Sequence, residues 1–300
     1  MIDLTGETMG THWHIRLARP TGLDLELLRR AVQGRLDGLE WQMSHWRPDS
    51  VLCGFNRAPA GLWAVLPADF ATVMRIGLAI AARSGGAFDP TIGALVDLWG
   101  FGPVAGTAPP SNDAVARARG CSGWERTNFD VATSRLRQPG GLRLDLSGIA
   151  KGYAVDATAA LLAHHGVRHC LVEIGGELAG RGLKPDGEPW WVDLEHPGSS
   201  ALPRFRAALH EWAVATSGDY VRGAHNLDSA TGRPAMRDVV SVSVFHASAM
   251  QADAWASALT VLGQEAGLAL AAREGLAARI VTRDAAGLRE VLTPALHDLL

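Results

Sequence analysis

The chain has 300 residues, 47% of them hydrophobic and 20% charged, which is the make-up of an ordinary globular protein with one large core or two intimate ones. A formal charge of −3 gives no electrostatic reason to expect nucleic acid or an anionic membrane surface as partner, so a small molecule or a protein is the better-matched ligand. Cys53, Cys121 and Cys170 are odd in number, far apart and in no CxxC pair, which argues against a disulfide framework or a zinc knuckle and leaves them as apolar filler.

The opening stretch "MIDLTGETMGTHWHIRL" has no basic segment followed by an apolar run and no lipid-attachment cysteine. No later stretch is apolar enough for a membrane span. As given, the chain reads as soluble and cytoplasmic, or periplasmic if a leader has been trimmed. "HWHIRLA" is strand-like, and Leu25, Leu28, Val32, Leu36, Leu39 and Met43 recur at helical spacing, so an amphipathic helix is expected to end near "SHWRPDS". A second helix fits 68–83, closing at Ser84-Gly85-Gly86, and a third fits 112–119 between Ser111 as N-cap and Gly120. Period-two alternation from Asn128 to Leu146, on both sides of "QPGG", predicts a hairpin whose second strand delivers Asp145. A helix follows from about Ile149 to His165. Further strands are expected at 169–174, 190–195, 208–215, 239–246, 277–282 and 288–292, with helices near 249–262 and 265–273. Strands and helices alternate irregularly with hairpin-length turns, so the expected class is α+β, a single unit over 1–300 with no clear linker.

The segment "LDLSGIAKGYAVD" runs from a strand through a glycine-marked turn into a helix, where unpaired N–H groups and the helix dipole favour phosphate. It is neither a P-loop nor a GxGxxG turn, and alone it fits a plain strand-to-helix joint with a solvated Lys151 better than a phosphate site. In "SAMQADAWASALTVLG", Ser248 and Gln251 have capping-box spacing and Gly263 ends the helix. Asp253 and Ser257 lie four apart, so a carboxylate and a hydroxyl share one helical face, hard oxygens of the kind Mg²⁺ accepts. The other reading is an acid favouring the helix dipole beside a small serine. His225 and Asp228, with Ser217 upstream, sit in a loop-like run where they can take a proton from a hydroxyl or serve only as surface groups. Trp46 suits stacking on a flat ring or anchoring the first helix.

Taken in order, "MGTHWHI", "MSHWRPDSVLCGFN", "GGAFDPTIGALVDLWGFG", "LDLSGIAKGYAVD", "VEIGGELAGRG", "ATSGDY", "HNLDSATGRP" and "ADAWASALTVLG" resemble the blocks of the ApbE-type FAD:protein FMN transferases and span nearly the whole chain. The resemblance implies a T-fold-like α+β architecture with mixed or antiparallel sheets, packed helices and FAD in a cleft. It implies Mg²⁺-dependent transfer of FMN from FAD to a threonine or serine hydroxyl of an acceptor protein, such as an electron-transfer subunit, with release of AMP. FAD pyrophosphatase activity, non-catalytic flavin carriage and flavin-dependent oxidoreduction are the alternatives. Carried over residue by residue, FAD contacts fall on Met9, Trp46, Ala87, Phe88, Asp89, Asp145, Lys151 and Leu227. Metal ligands fall on Asp253, Ser257 and the carbonyl of Gly148, while His225, assisted by Asp228, is assigned as base. Three positions depart from the family pattern: Gly148 stands where relatives carry Thr or Ala, Ser257 where Thr is frequent, and "HNLDSATG" replaces a more usual His-Ile-Ile-Asp-Pro run.

Overall fold

The computed structural model describes residues 1–18, 20–103, 109–194, 202–218, 225–235, 238–285 and 287–300. Its first half carries β1 (Ile2–Thr8), β2 (Thr11–Leu17), α1 (Leu25–Met43), α2 (Val51–Asn56), β3 (Trp63–Val65), α3 (Ala68–Ser84), α4 (Gly93–Trp99), α5 (Asn112–Gly120), β4 (Asn128–Asp130) and β5 (Arg135–Arg137). Then come α6 (Ala150–His164), β6 (Cys170–Ile174), β7 (Glu177–Arg181), β8 (Trp190–Asp193), β9 (Arg206–Leu209), β10 (Ala213–Gly218), β11 (Leu227–Asp228) and β12 (Arg233–Pro234). The chain closes with β13 (Val239–His246), α7 (Ala249–Glu274), β14 (Ala277–Asp284), β15 (Gly287–Leu292) and α8 (Pro294–His297).

Eight strands form one sheet in the order β1-β2-β6-β7-β10-β13-β14-β15, every neighbouring pair antiparallel, as an α+β chain requires. Because strand side chains alternate, the sheet has two buried faces. Trp13, Ile15 and Leu17 of β2, Val172 and Ile174 of β6, and Val242 and Val244 of β13 pack under α1, α6 and α7. Leu171, Leu178, Val214 and Phe245 point the other way, onto the β8–β9 hairpin and α8. Each fully buried aliphatic contributes about 1.5–3 kcal/mol relative to exposure, which makes a one-residue register slip prohibitive.

Local chemistry places the helices as expected. Asp24 caps α1 by accepting from Glu26 and Leu27 N–H, Ser111 caps α5, and α3 ends on Gly85 in the left-handed region. Ser248 caps α7 through the Gln251 N–H, and Asp156 of α6 adds hydrogen bonds from Ser248 Oγ (2.7 Å), Ala249 N (2.9 Å) and Met250 N (3.0 Å). Gly263, with φ 79°, breaks α7 where the sequence separates two helices.

Several segments differ from the expectation. The hairpin turns at residues 131–134 rather than at "QPGG", because β5 is already used up by pairing with β4 and β3. Beyond it the fully buried Gln138 replaces a strand partner, donating to Phe55 O and Leu142 O and accepting from Gly140 and Leu142 N–H. Asp145 therefore arrives on an extended segment with Leu142, Leu144 and Leu146 inward, not on a hairpin strand. The run 208–215 is two strands, parted at Glu211 (φ 60°). β1, α2, β3, α4, β7, β11, β12 and α8 lie outside the expected elements.

The N-termini of α6 and α7 cross at Gly152. A Cβ there would meet the Ala249 carbonyl oxygen and come within 2.8 Å of Asp253 Cβ. Gly152→Ala is expected to destabilise the fold by about 1–3 kcal/mol through overpacking, read as a fall in urea midpoint. An unchanged midpoint would mean that the crossing is looser than described.

Candidate active site

One end of the large sheet gathers the turns that matter. The β1–β2 turn puts Met9 (φ 50°) and Gly10 (φ 69°) in the left-handed region, the two-residue hairpin geometry. Met9 tolerates it because Glu40 of α1 accepts from its N–H and from Thr8 Oγ1. The β6–β7 turn, Gly175-Gly176, packs against Thr11 beside it, and Glu177 follows immediately. The register Val214↔Leu178 carries the far end of β10, with Ser217, to this same end.

Four of the expected residues converge where α6 and α7 cross. Asp253 is buried, and its Oδ2 accepts from Gly152 N at 3.0 Å, so it caps the first turn of α6 across the helix interface. Ser257 lies one turn on, and a Cβ at Gly148 would sit 2.8 Å from its Oγ and 3.5 Å from the Phe88 ring. Lys151, in the first turn of α6, forms an ion pair with Glu177, whose side chain is almost wholly buried. Glu177 is the residue that sequence reasoning missed: an acid opening a strand after two glycines resembles a solvated turn charge, and only the fold turns it inward. Burial pushes the Glu177 carboxyl up, Lys151 opposes the shift and Asp253 reinforces it. Asp253 is raised by the same burial, against the pull of Lys151 and the Gly152 N–H.

Among the described residues no group of three or more His, Cys, Asp and Glu side chains converges as a metal site. A divalent ion would draw on the Asp253 carboxylate, the Ser257 hydroxyl and the Gly148 carbonyl, with water and phosphate completing its shell. Beside them Glu177 Oε2 is a buried carboxyl oxygen without a hydrogen-bond partner. The residues fit Mg²⁺.

Asp145 holds the turn ahead of Gly148: its Oδ1 accepts from Ser147 N at 2.7 Å and its Oδ2 meets His45 Nδ1 at 2.9 Å. His45 Nε2 lies 2.9 Å from Asp97, which also pairs with Arg143 at 2.6 Å. Burial works against a charged imidazole, but the two carboxylates outweigh it and raise His45 to about 10. Burial likewise opposes ionised Asp145, yet His45 and the Ser147 N–H leave its pKa lowered. Next in chain, Trp46 is 62% exposed, free to offer its face to a flat ring. His45 supports the fold fully below its unfolded pKa of about 6.5 and loses that contribution as pH rises through about 10. The wild-type urea midpoint should therefore fall between pH 7 and 10 and fall less in His45→Gln; equal profiles would place no imidazolium there.

Asp89 is a clamp, accepting from Thr91 N (2.8 Å), Thr91 Oγ1 (2.6 Å) and Trp124 N (3.1 Å), with burial raising its pKa. It fixes the Ala87-Phe88 turn, which Ser84 Oγ also holds by accepting from Phe88 N. The loop 225–235 docks on that turn: Ser229 Oγ donates to Gly86 O at 2.7 Å, and Trp99 Nε1 to Gly232 O at 2.8 Å. Leu227 is buried against Leu95 and Val96, so its side chain faces α4. Asp228 Oδ1 accepts from Ala230 N at 2.9 Å, and Ser217 Oγ donates to Asn226 at 3.3 Å, leaving His225 half-buried at the loop's start.

The ApbE family matches residues 9–280, spanning each of these elements. The chain belongs to the ApbE family. It is 34% identical over 312 residues to an FAD:protein FMN transferase of Vibrio cholerae, covering 100% of this chain and 92% of that one. The counterpart in Klebsiella pneumoniae is 32% identical, over 99% of this chain and 89% of its own. Among solved structures, the flavin transferase ApbE from Vibrio cholerae superposes with a TM-score of 0.94 at 33% identity, covering 100% and 99% of the two chains. The apo flavinyl transferase ApbE of Pseudomonas stutzeri gives 0.93 at 38% identity, covering 99% and 96%. The antiparallel α+β architecture is thus the architecture of ApbE structures. Among the described residues no helix is long and apolar enough to cross a membrane.

Proposed function

We propose that this ApbE protein is an FAD:protein FMN transferase, moving the FMN half of FAD to a threonine or serine hydroxyl of an acceptor protein and releasing AMP. The observation that carries this reading is the meeting of Asp253, Ser257, Gly148 and Lys151 at the α6–α7 crossing, in a chain whose full-length relatives are named for that activity. Bound Mg²⁺ would supply charge stabilisation to the phosphoryl oxygens, and Asp253, Ser257 and the Gly148 carbonyl would hold it.

The protein's own groups account for the rest. The Met9 turn, Trp46 and the Ala87-Phe88-Asp89 turn flank the flavin half, and Lys151, in the first turn of α6, serves the diphosphate. The acceptor hydroxyl oxygen attacks the FMN-side phosphorus, and the bond from that phosphorus to the bridging oxygen breaks. AMP leaves with the bridging oxygen, and the hydroxyl proton passes to His225 on the loop shaped by Asp228. Lys151 offsets charge gathering on the departing phosphate.

Incubation with FAD, Mg²⁺ and a threonine-bearing acceptor domain, followed by mass spectrometry, tests this. A covalent FMN adduct is expected. Free FMN and AMP without adduct would make the protein a pyrophosphatase, and unaltered FAD a carrier.

A further inference from the structure

Glu177 is only half satisfied within the fold. Its carboxylate is buried at the start of β7, one oxygen pairs with Lys151, and the other has no hydrogen-bond partner. A buried acceptor left unmatched is destabilising, and nothing in the fold offsets it. What the position does is add a second carboxylate beside Asp253, with one ammonium between them and the mouth of the site. Counted over these three side chains in their ionised forms, that set is one negative charge in excess. Entry of a diphosphate adds two more, so the dinucleotide meets repulsion unless a divalent cation enters with it.

Resting on the transferase reading, we propose that Glu177 makes FAD binding conditional on the divalent cation: it occupies Lys151 while the cation is absent and shares its charge with the cation when Lys151 turns to the diphosphate. It is a positioning residue acting through Lys151 and Asp253. A purely structural acid, when removed, weakens every ligand together. A charge-balancing acid has opposite effects on the two, because its loss weakens attraction for the cation and relieves repulsion of the diphosphate.

The test is the coupling between Mn²⁺ and FAD, measured by titrating Mn²⁺ with electron paramagnetic resonance and FAD by fluorescence, each with and without the other. Glu177→Gln keeps the shape and an oxygen for Lys151. It is expected to bind Mn²⁺ about tenfold or more weakly, to bind FAD without metal at least as tightly as wild type, and to show a correspondingly smaller coupling. Glu177→Asp, which restores the charge, should recover most of the coupling. Wild-type coupling in Glu177→Gln, or parallel loss of FAD and Mn²⁺ affinity, would overturn the proposal while leaving the transferase reading intact. Wild-type protein that binds neither ligand would overturn both.

Discussion

Asp253→Asn is expected to leave a folded protein that no longer transfers FMN. The two side chains have the same shape, and the asparagine carbonyl oxygen can accept the Gly152 N–H that Asp253 now accepts at 3.0 Å. The α6–α7 crossing therefore survives. Burial already disfavours the ionised carboxylate, so thermal stability in magnesium-free buffer should not fall below wild type. Function is a different matter, because the substitution removes the single carboxylate among the assigned metal ligands. Loss of several kcal/mol of charge stabilisation at the transferring phosphorus corresponds to a fall in turnover of about 10³-fold or more. Asp253→Ala should lose activity equally and stability as well, by about 1–3 kcal/mol, because the Gly152 N–H is then orphaned. Calorimetric Mg²⁺ binding and adduct formation read the two effects separately. Magnesium-dependent turnover persisting in Asp253→Asn would move the metal site elsewhere.

That separation explains what the sequence disclosed. Helices were readable because their signals are local: the three-and-four spacing of Leu28, Val32, Leu36 and Leu39, the Ser111 and Ser248 caps, and the left-handed glycines that close α3 and split α7. The strand-to-helix turn and the Asp253–Ser257 face were readable for the same reason, each lying within one turn of chain. Features made by distant partners were not. The "QPGG" hairpin failed because Gln138 spends its amide on Phe55, a residue 83 positions away. Glu177 sits 26 positions after Lys151 and was indistinguishable from a solvated acid until β7 turned it inward. His45 was passed over inside "MSHWRPDS" because its carboxylates, Asp97 of α4 and Asp145 of the segment before α6, lie 52 and 100 positions away. β1 hides its alternation, since Leu4 and Thr8 alone are buried along its length.

These hidden partners all belong to one electrostatic design. Asp145 and Asp97 surround a cationic His45 ahead of the Gly148 turn, whereas Glu177 and Asp253 lie about Lys151 beyond it. The first cluster balances its charge internally, with Arg143 on Asp97, and so sets shape. The second leaves Glu177 Oε2 unmatched, the feature on which the proposed coupling of cation and FAD rests.

His225→Ala is the complementary experiment, expected to spare binding and stop transfer. His225 precedes β11 on a loop held by Ser229 on Gly86, Gly232 on Trp99 and Leu227 in the α4 contact, with Asp228 bonded to Ala230 inside it. Removing the imidazole leaves these anchors in place, so FAD affinity and magnesium dependence should stay within about twofold of wild type. A positioned base contributes about 10²–10⁴-fold, and adduct formation should fall by that factor with FAD binding unchanged. Added imidazole, able to enter the space vacated, should restore part of the rate, which no repair of loop structure would do. Asp228→Asn should be milder, since an amide oxygen can still accept from Ala230 N and keep the turn. Turnover retained in His225→Ala would remove His225 from the proton transfer. Parallel loss of FAD affinity would recast it as a residue that shapes the pocket.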